Sequence, residues 1–264
     1  MKSLAQKDLV VFDLDGTLTA SKAPLKKDME KALIELLRSK KVAIIGGGSY
    51  DQFKNQLLAH FNCPPELLTG LFLFPTTSTS FYRYSGGWKK VYRKVLTPAE
   101  KKRILKAFDN AFKAVGYVQP VKVYGKVIED RETQMSFSPL GQDIVDALGP
   151  KKGIALKEKW KKENNTLRLK IAKLIGKELK NFEVRVGGLT TIDVTQKGID
   201  KGYGVRQIEK TLRIPIERMV FIGDALYRGG NDAAAKKSGI QTMATKGPAD
   251  TIMIIKKILI DSRG

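Results

Sequence analysis

Asp13 and Asp15 stand either side of Leu14 at the end of the apolar run Leu9-Val10-Val11-Phe12, with Gly16-Thr17 immediately after. Alternation along a strand sends residues i and i+2 to the same side, so both carboxylates leave the strand's carboxyl end together. Like charges this close repel unless a cation or a positive pole of a substrate holds them. The pair suits a bound Mg²⁺, with one carboxylate as nucleophile and the other as acid or base. Ordinary strand-to-loop junctions also produce Asp-x-Asp with no chemistry attached. Other chemical residues follow at comparable places: Ser49 after Gly46-Gly47-Gly48, Lys201, Asp224 on a Gly-Asp turn, and Asn231-Asp232. A glycine-flanked serine offers a hydroxyl and free N–H groups to phosphate oxygens; a tight turn explains the glycines but not the serine. A lysine can neutralise phosphoryl charge. Asp224 suits Mg²⁺, which favours one or two carboxylates plus waters. Asn231-Asp232 can orient the metal's surroundings, although Gly-Asn-Asp serves equally as a helix N-cap.

The elements that must position these residues alternate between strand and helix. Leu9–Phe12 reads as the first strand, and Pro24 opens a helix with Leu25, Met29, Leu33, Leu36 and Leu37 at a 3.6-residue period. Val42–Ile45 is a second buried strand, followed by a helical stretch over Asp51–Phe61. The same grammar returns late, with a strand at Arg218–Ile222, a helix near Asn231–Lys237, a strand at Ile240–Ala244 and a helix at Ala249–Leu259. Strand, crossover helix and parallel strand is the unit of a doubly wound, Rossmann-like α/β sheet, whose strand ends converge on one crevice. The middle differs. Thr97-Pro98-Ala99-Glu100 is a capping box opening a helix that Gly116 ends. β-like runs at Val121–Glu129 and Gln134–Phe137, a lysine-rich helix over Ile154–Leu179, and strands at Phe182–Val186 and Leu189–Val194 follow. The expected division is a core over 1–87, an α+β cap over 88–187 and the rest of the core over 188–264. Gly86-Gly87 and Gly187-Gly188 serve as hinges.

Composition bounds the rest. A chain of 264 residues, 42% hydrophobic and 28% charged, buries a core without difficulty. No apolar stretch is long enough for a bilayer, and Met1–Lys7 lacks the apolar region of a secretory leader. One cysteine, Cys63, excludes an internal disulfide framework, and a cytoplasmic location is expected. The formal net charge is +21, and residues 151–180 alone carry eleven Lys/Arg against three Glu. Such a field favours anions, from small phosphoesters to nucleic acid. A solvated lysine face explains it better than a nucleic-acid surface, because no arginine-and-aromatic recognition motif accompanies it. The remaining singular residues read as structural: His60 at a helix end, Trp160 anchoring the basic helix, and Tyr82, Tyr84, Trp88 and Tyr92 packing near a domain boundary.

Together, Asp-x-Asp-Gly-Thr, the serine after glycines, the lysine and Gly-Asp…Asn-Asp resemble the motif set of the haloacid-dehalogenase (HAD) type phosphotransferases. An insert between the second and third motifs is similar to the large α/β cap of their IIB subgroup. More narrowly the chain resembles the eukaryotic-type phosphomannomutases, at Phe12–Thr19, Gly46–Asp51, Ser138–Gly141, Thr191–Val194, Gly198–Lys201, Gly223-Asp224 and Gly229–Asp232, in order over almost the whole chain. The resemblance implies that Asp13 is the nucleophile that carries the phosphoryl group, and that Asp15 protonates the leaving oxygen and then activates the acceptor. It implies Mg²⁺ between the Asp13 carboxylate, the Asp15 backbone carbonyl and Asp224, and Ser49 and Lys201 on the phosphoryl oxygens. Asn231 and Asp232 support the metal.

For the substrate, a small phosphorylated sugar, the resemblance implies Arg131, Thr191 and Asp193 as contacts, with Lys22 where the family has an arginine. Two further arginine positions are Gln142 and Gly149 here, with Lys122, Lys126, Lys151 and Lys152 available to compensate. A mutase must hold a bisphosphate while it turns round, so fewer donors to its distal phosphate favour release and hydrolysis. A sugar-phosphate phosphatase is therefore expected ahead of a mutase interconverting mannose 1-phosphate and mannose 6-phosphate. A nucleic-acid-binding protein on the same scaffold is a remote alternative, against which the intact Asp13 and Asp224 stand. By analogy the resemblance also allows a homodimer through the cap, while the lack of a bilayer-length apolar stretch leads to the expectation of no membrane partner.

Overall fold

The computed structural model describes residues 4–262; Met1–Ser3, where the stretch weighed as a leader begins, and Arg263-Gly264, at the end of the expected core, lie outside the described residues. In chain order the main elements are β1 (Leu9–Asp13), α1 (Lys27–Leu37), β2 (Lys41–Ile45), α2 (Tyr50–Gln56), β3 (Leu71–Phe74), β4 (Ser80–Tyr84) and β5 (Trp88–Arg93). Then come α3 (Pro98–Val115), β6 (Ile128–Asp130), β7 (Met135–Phe137), α4 (Ile144–Glu178), β8 (Phe182–Gly187) and β9 (Thr191–Gln196). The chain closes with α5 (Lys201–Leu212), β10 (Met219–Gly223), α6 (Ala233–Lys236), β11 (Gln241–Ala244) and α7 (Pro248–Asp261).

Two compact units result, one from the segments up to Arg93 and from Asp200 onward, the other from Lys94–Ile199. The first holds a seven-stranded sheet in the order β11-β10-β1-β2-β3-β4-β5, parallel through β3 and antiparallel beyond it. Its central strands are buried along their length, as parallel strands covered on both faces must be. Alternation sorts their side chains: Val10, Phe12 and Ile44 pack with α1 and α7, while Leu9, Val11, Ala43 and Ile45 pack with α5. β1, which carries Asp13, lies between β10 and β2, and the sheet is the doubly wound α/β core expected from the sequence.

The insert is α+β, as expected. Its antiparallel sheet runs β6-β7-β9-β8, with α3 and α4 against one face. Phe108, Phe137, Ile171, Ile175, Ile192 and Val194 are buried between the layers. The capping box forms: Thr97 Oγ1 accepts from the Glu100 N–H, and Glu100 Oε2 accepts from the Thr97 N–H at 2.7 Å.

Several boundaries depart from expectation. Gly86-Gly87 is not a hinge but the turn of the β4–β5 hairpin, where the Ser85 N–H donates to the Gly87 carbonyl. Trp88–Arg93 therefore belongs to the core sheet, and Tyr82 and Tyr92 pack within that unit, Tyr82 stacked on Tyr50 at 3.7 Å and the Tyr92 hydroxyl donating to the Ser78 carbonyl. Gly187 likewise ends β8, paired with Thr191, and Gly188 opens the turn to β9, so residues 188–199 stay with the insert. Glycines that permit a hinge permit a tight hairpin equally well. α1 starts at Lys27, after Pro24 and Leu25. α4 starts ten residues early, across a break at Gly149 (φ 76°) and Pro150. Only the last part of Val121–Glu129 pairs as a strand.

No helix among the described residues is long and apolar enough to cross a membrane. Because Phe137 packs wholly inside the insert, Phe137→Ala should cost about 3–5 kcal/mol there. Hydrogen exchange should show faster exchange across β6–β9 with β1 and β2 still protected; equal loss in both sheets would contradict two separately packed units.

Candidate active site

β1 ends in Asp13, 4% exposed. Lys201, 3% exposed, opens α5, whose N-cap Asp200 accepts from the Tyr203 N–H at 2.8 Å. That cap fixes the first turn and brings the ammonium back to the strand ends. Lys201 Nζ lies 2.7 Å from Asp13 Oδ1 and donates also to Asp232 Oδ1. Asp232 is fully buried, and its second oxygen accepts from the Ala225 N–H at 2.9 Å, tying down the loop that carries Asp224. Oxygens of Asp13, Asp224 and Asp232 all lie within 4.8 Å of one another. Glycine makes the approach possible. A Cβ on Gly16 (φ +88°) would sit 2.5 Å from Asp224 Oδ2, and no side chain at 223 would clear Asp232.

Three carboxylates around one ammonium leave the cluster formally at −2. Burial pushes the Asp13 carboxyl well above its ordinary range; Lys201 opposes this, and Asp232 and Asp224 add to it. Burial also raises Asp224, with Asp232 contributing. For Lys201 burial works against the charge, but Asp13 and Asp232 outweigh it and the group stays cationic. Two buried carboxylates and the exposed Asp224, crowded together with two surplus negative charges, fit a hard divalent cation.

Asp232, expected only to support the metal, stands directly with Asp13 and Asp224. The Asp15 carboxylate, expected to act as acid and base while its backbone carbonyl meets the metal, is held by other groups. Asp15 Oδ1 accepts from the Lys22 backbone N–H at 2.5 Å and from Gln56 Nε2 at 2.9 Å, and Oδ2 accepts from Gln52 Nε2 at 3.3 Å. Gln56 also donates to Thr19 Oγ1 and accepts from Gln52, so a chain of amides holds the second carboxylate. Gln52 and Gln56 were not anticipated; their signal is a four-residue spacing just inside the helix that Ser49 caps. Ser49 Oγ accepts from the Gln52 N–H at 3.2 Å, so the serine acts as an N-cap. Asn231 is half-buried beside Asp232.

Lys22 lies in the first unit, whereas Arg131, Thr191 and Asp193 lie in the insert. Arg131 is buried, its Nε 2.6 Å from Glu129 Oε2 and its Nη2 donating to Gln142 Oε1 at 3.0 Å. The neighbouring Asp130 carboxylate pairs with Lys101 at 2.8 Å. Gln142 Nε2 donates to the Ser136 carbonyl, and Ser136 Oγ donates to Asp193 Oδ1 at 2.6 Å. Thr191 Oγ1 donates to the Gly187 carbonyl at 2.6 Å.

The sequence profile described as eukaryotic phosphomannomutase matches residues 29–261. The chain belongs to that family. A probable phosphomannomutase of Caenorhabditis elegans is 24% identical over 262 residues, covering 97% of this chain and 96% of the worm protein, a span that takes in the Asp13–Thr17 loop. The phosphomannomutase of Encephalitozoon cuniculi is 28% identical over 237 residues, covering 86% and 83% of the two chains. Among solved structures, N-terminally truncated, IMP-bound IMP-nucleotidase of Plasmodium falciparum has a TM-score of 0.69 at 18% identity, covering 98% of this chain and 71% of that one. A likeness at that identity is one of fold, here the HAD fold. As a member of the phosphomannomutase family the protein is a phosphoryl-transfer enzyme of the HAD superfamily.

The cluster makes a signed prediction. Asp13 is raised above its unfolded value of 3.8, so its ionisation opposes folding, and the loss begins near that pH and grows as pH rises toward the folded value. In chelator, Asp13→Asn should therefore gain melting temperature over the native protein on going from pH 4 to pH 7. Millimolar Mg²⁺ should raise the native melting temperature at pH 7 more than that of Asp13→Asn. Equal gains in both proteins would place the cation elsewhere.

Proposed function

We propose that the protein is a Mg²⁺-dependent phosphohexose mutase of the phosphomannomutase type. The observation that carries the chemistry is the unequal treatment of two carboxylates two residues apart. Asp13 sits in the buried cluster against Lys201, while Asp15 is held outside it by Gln52, Gln56 and the Lys22 amide. Environments that separate paired carboxylates divide a nucleophile from an acid/base. Asp13 attacks phosphorus and takes up the phosphoryl group as an aspartyl-phosphate, while Asp15 gives its proton to the departing sugar oxygen. Asp15 then takes the proton of the incoming hydroxyl as that oxygen attacks the phosphoryl group on Asp13. Lys201 and the Ser49 hydroxyl steady the phosphoryl oxygens. Asp13, Asp224, Asp232 and the Asp15 backbone carbonyl would hold Mg²⁺, with Asn231 supporting. When bound, the ion neutralises charge on the phosphoryl group during transfer.

The order of the two outcomes expected from the sequence changes here. The relatives named above are phosphomannomutases, which favours a second sugar hydroxyl over water as acceptor. One observation favours a sugar-phosphate phosphatase instead: the Gln142 amide, at a position where an arginine would grip the distal phosphate, is committed to Arg131 and to the Ser136 carbonyl. Arg131, Lys22, Thr191 and Asp193 are the proposed sugar-phosphate contacts in either case.

Phosphorus NMR separates the outcomes. With Mg²⁺, mannose 1-phosphate and a trace of glucose 1,6-bisphosphate, mannose 6-phosphate should accumulate at a rate that depends on the bisphosphate. Accumulation of inorganic phosphate instead would establish the phosphatase. Asp13→Asn should abolish either product, and Asp15→Asn should lower kcat by about 10²–10⁴-fold; turnover by Asp13→Asn would eliminate the aspartyl-phosphate route.

A further inference from the structure

Strand register gives the insert a chemical face and a packing face. Glu129 pairs with Ser136, Ser136 with Asp193, and Asp193 with Arg185, so these four side chains form a row across β6, β7, β9 and β8. Their strand neighbours Met135, Phe137, Phe182, Ile192 and Val194 point the other way, into the core beneath α3 and α4. The row is linked at its centre, through Ser136 to Asp193, and at its β6 end, through Glu129 to Arg131 and on to Gln142. Its β8 end is Arg185, 33% exposed, with an Nη2 2.8 Å from Glu183 Oε1. Gly187, one pleat further along β8, leaves a notch beside the centre: a Cβ there would lie 3.1 Å from Asp193 Oδ2 and 3.3 Å from Thr191 Oγ1.

A guanidinium thus stands at each end of the row, with hydroxyls and a carboxylate between. Arg131 is the buried one, fixed by Glu129 and Gln142; Arg185 is the more exposed, beside the notch. Lys122 and Lys126 lie instead in the loop before β6, and Lys151 and Lys152 in the turn after the break in α4. We propose that Arg185 grips the non-reacting phosphate of a sugar bisphosphate, in place of the cations lacking at Gln142 and Gly149. This rests on the reading of the insert as the sugar-phosphate contact. A planar guanidinium matches phosphate bidentately, as a lysine cannot. Glu183 keeps the fork on this face without ligand, and a partly exposed ion pair yields to a phosphate at little cost. A sugar beside this phosphate sets its hydroxyls against Thr191 and the Ser136–Asp193 pair.

The test is steady-state kinetics with Mg²⁺ and a fixed excess of mannose 1-phosphate to accept the phosphoryl group, with two donors compared: glucose 1,6-bisphosphate, which has a distal phosphate, and p-nitrophenyl phosphate, which has none. Arg185→Ala should raise KM for the bisphosphate about 10- to 100-fold. The ratio of kcat/KM for bisphosphate over p-nitrophenyl phosphate should fall by the same factor, with Arg185→Lys between the two. An unchanged ratio, whether both substrates keep their rates or lose them equally, would overturn the assignment and leave the sugar-phosphate reading standing. Native protein that turns over p-nitrophenyl phosphate but not the bisphosphate would overturn both.

Discussion

The ammonium of Lys201 is the contact on which the site depends. It bonds Asp13 at the end of β1 and Asp232 in the loop after β10, so it joins two adjacent strands to the first turn of α5. Removing a cation from such a place would leave two desolvated carboxylates facing each other, the costliest arrangement in a low-dielectric interior. The surrounding backbone is arranged to keep it there. Asp200 caps α5, the Ala225 N–H holds the far oxygen of Asp232, and Gly16 and Gly223 remove the side chains that would push Asp224 and Asp232 away. One buried cation among three acids also leaves the centre short of positive charge, a shortage that a divalent ion would make good.

The two ends of the proposed chemistry are built on different principles. Asp13 gains its character from burial and neighbouring charge, through groups contributed by strands that meet only in the folded sheet. Asp15 is governed locally, by amides of α2 and by the Lys22 backbone. The recognition proposed for the insert follows a third pattern, a polar row laid across an antiparallel sheet by strand register, with an apolar face behind it to fix its position.

How much of this could be read from the residue string follows from the same physics. β1, β2 and β10 were legible because strands buried on both faces are nearly continuous apolar runs, and the acids at the ends of β1 and β10 stand out for having no packing reason to be there. Gln52 and Gln56 were not, because an amide on a short helix looks the same whether it holds a carboxylate or faces water. Gln142 was legible only as a missing cation; its amide in fact braces the arginine that remains. The glycine pairs at 86–87 and 187–188 misled because permissive backbone is common to hinges and hairpins, and only non-local pairing separates the two. Arg185 carries no local signal at all, since its meaning comes from lying opposite Asp193 on another strand.

The division of the core into two chain segments orders the protein's birth. The insert, Lys94–Ile199, is contiguous, and its antiparallel pairings and helix pair can form once it has left the ribosome. β1 cannot be enclosed so early. Its partner β10 begins at Met219, and closing that pairing spans the whole intervening chain. Until then the row Leu9–Phe12 presents an unpaired strand edge, and Asp13 has no counter-ion, because Lys201 arrives late too. A chain synthesised only as far as Ile199 holds every residue of the insert but neither β10 nor Lys201, so its β1 lacks both a strand partner and a counter-ion for Asp13.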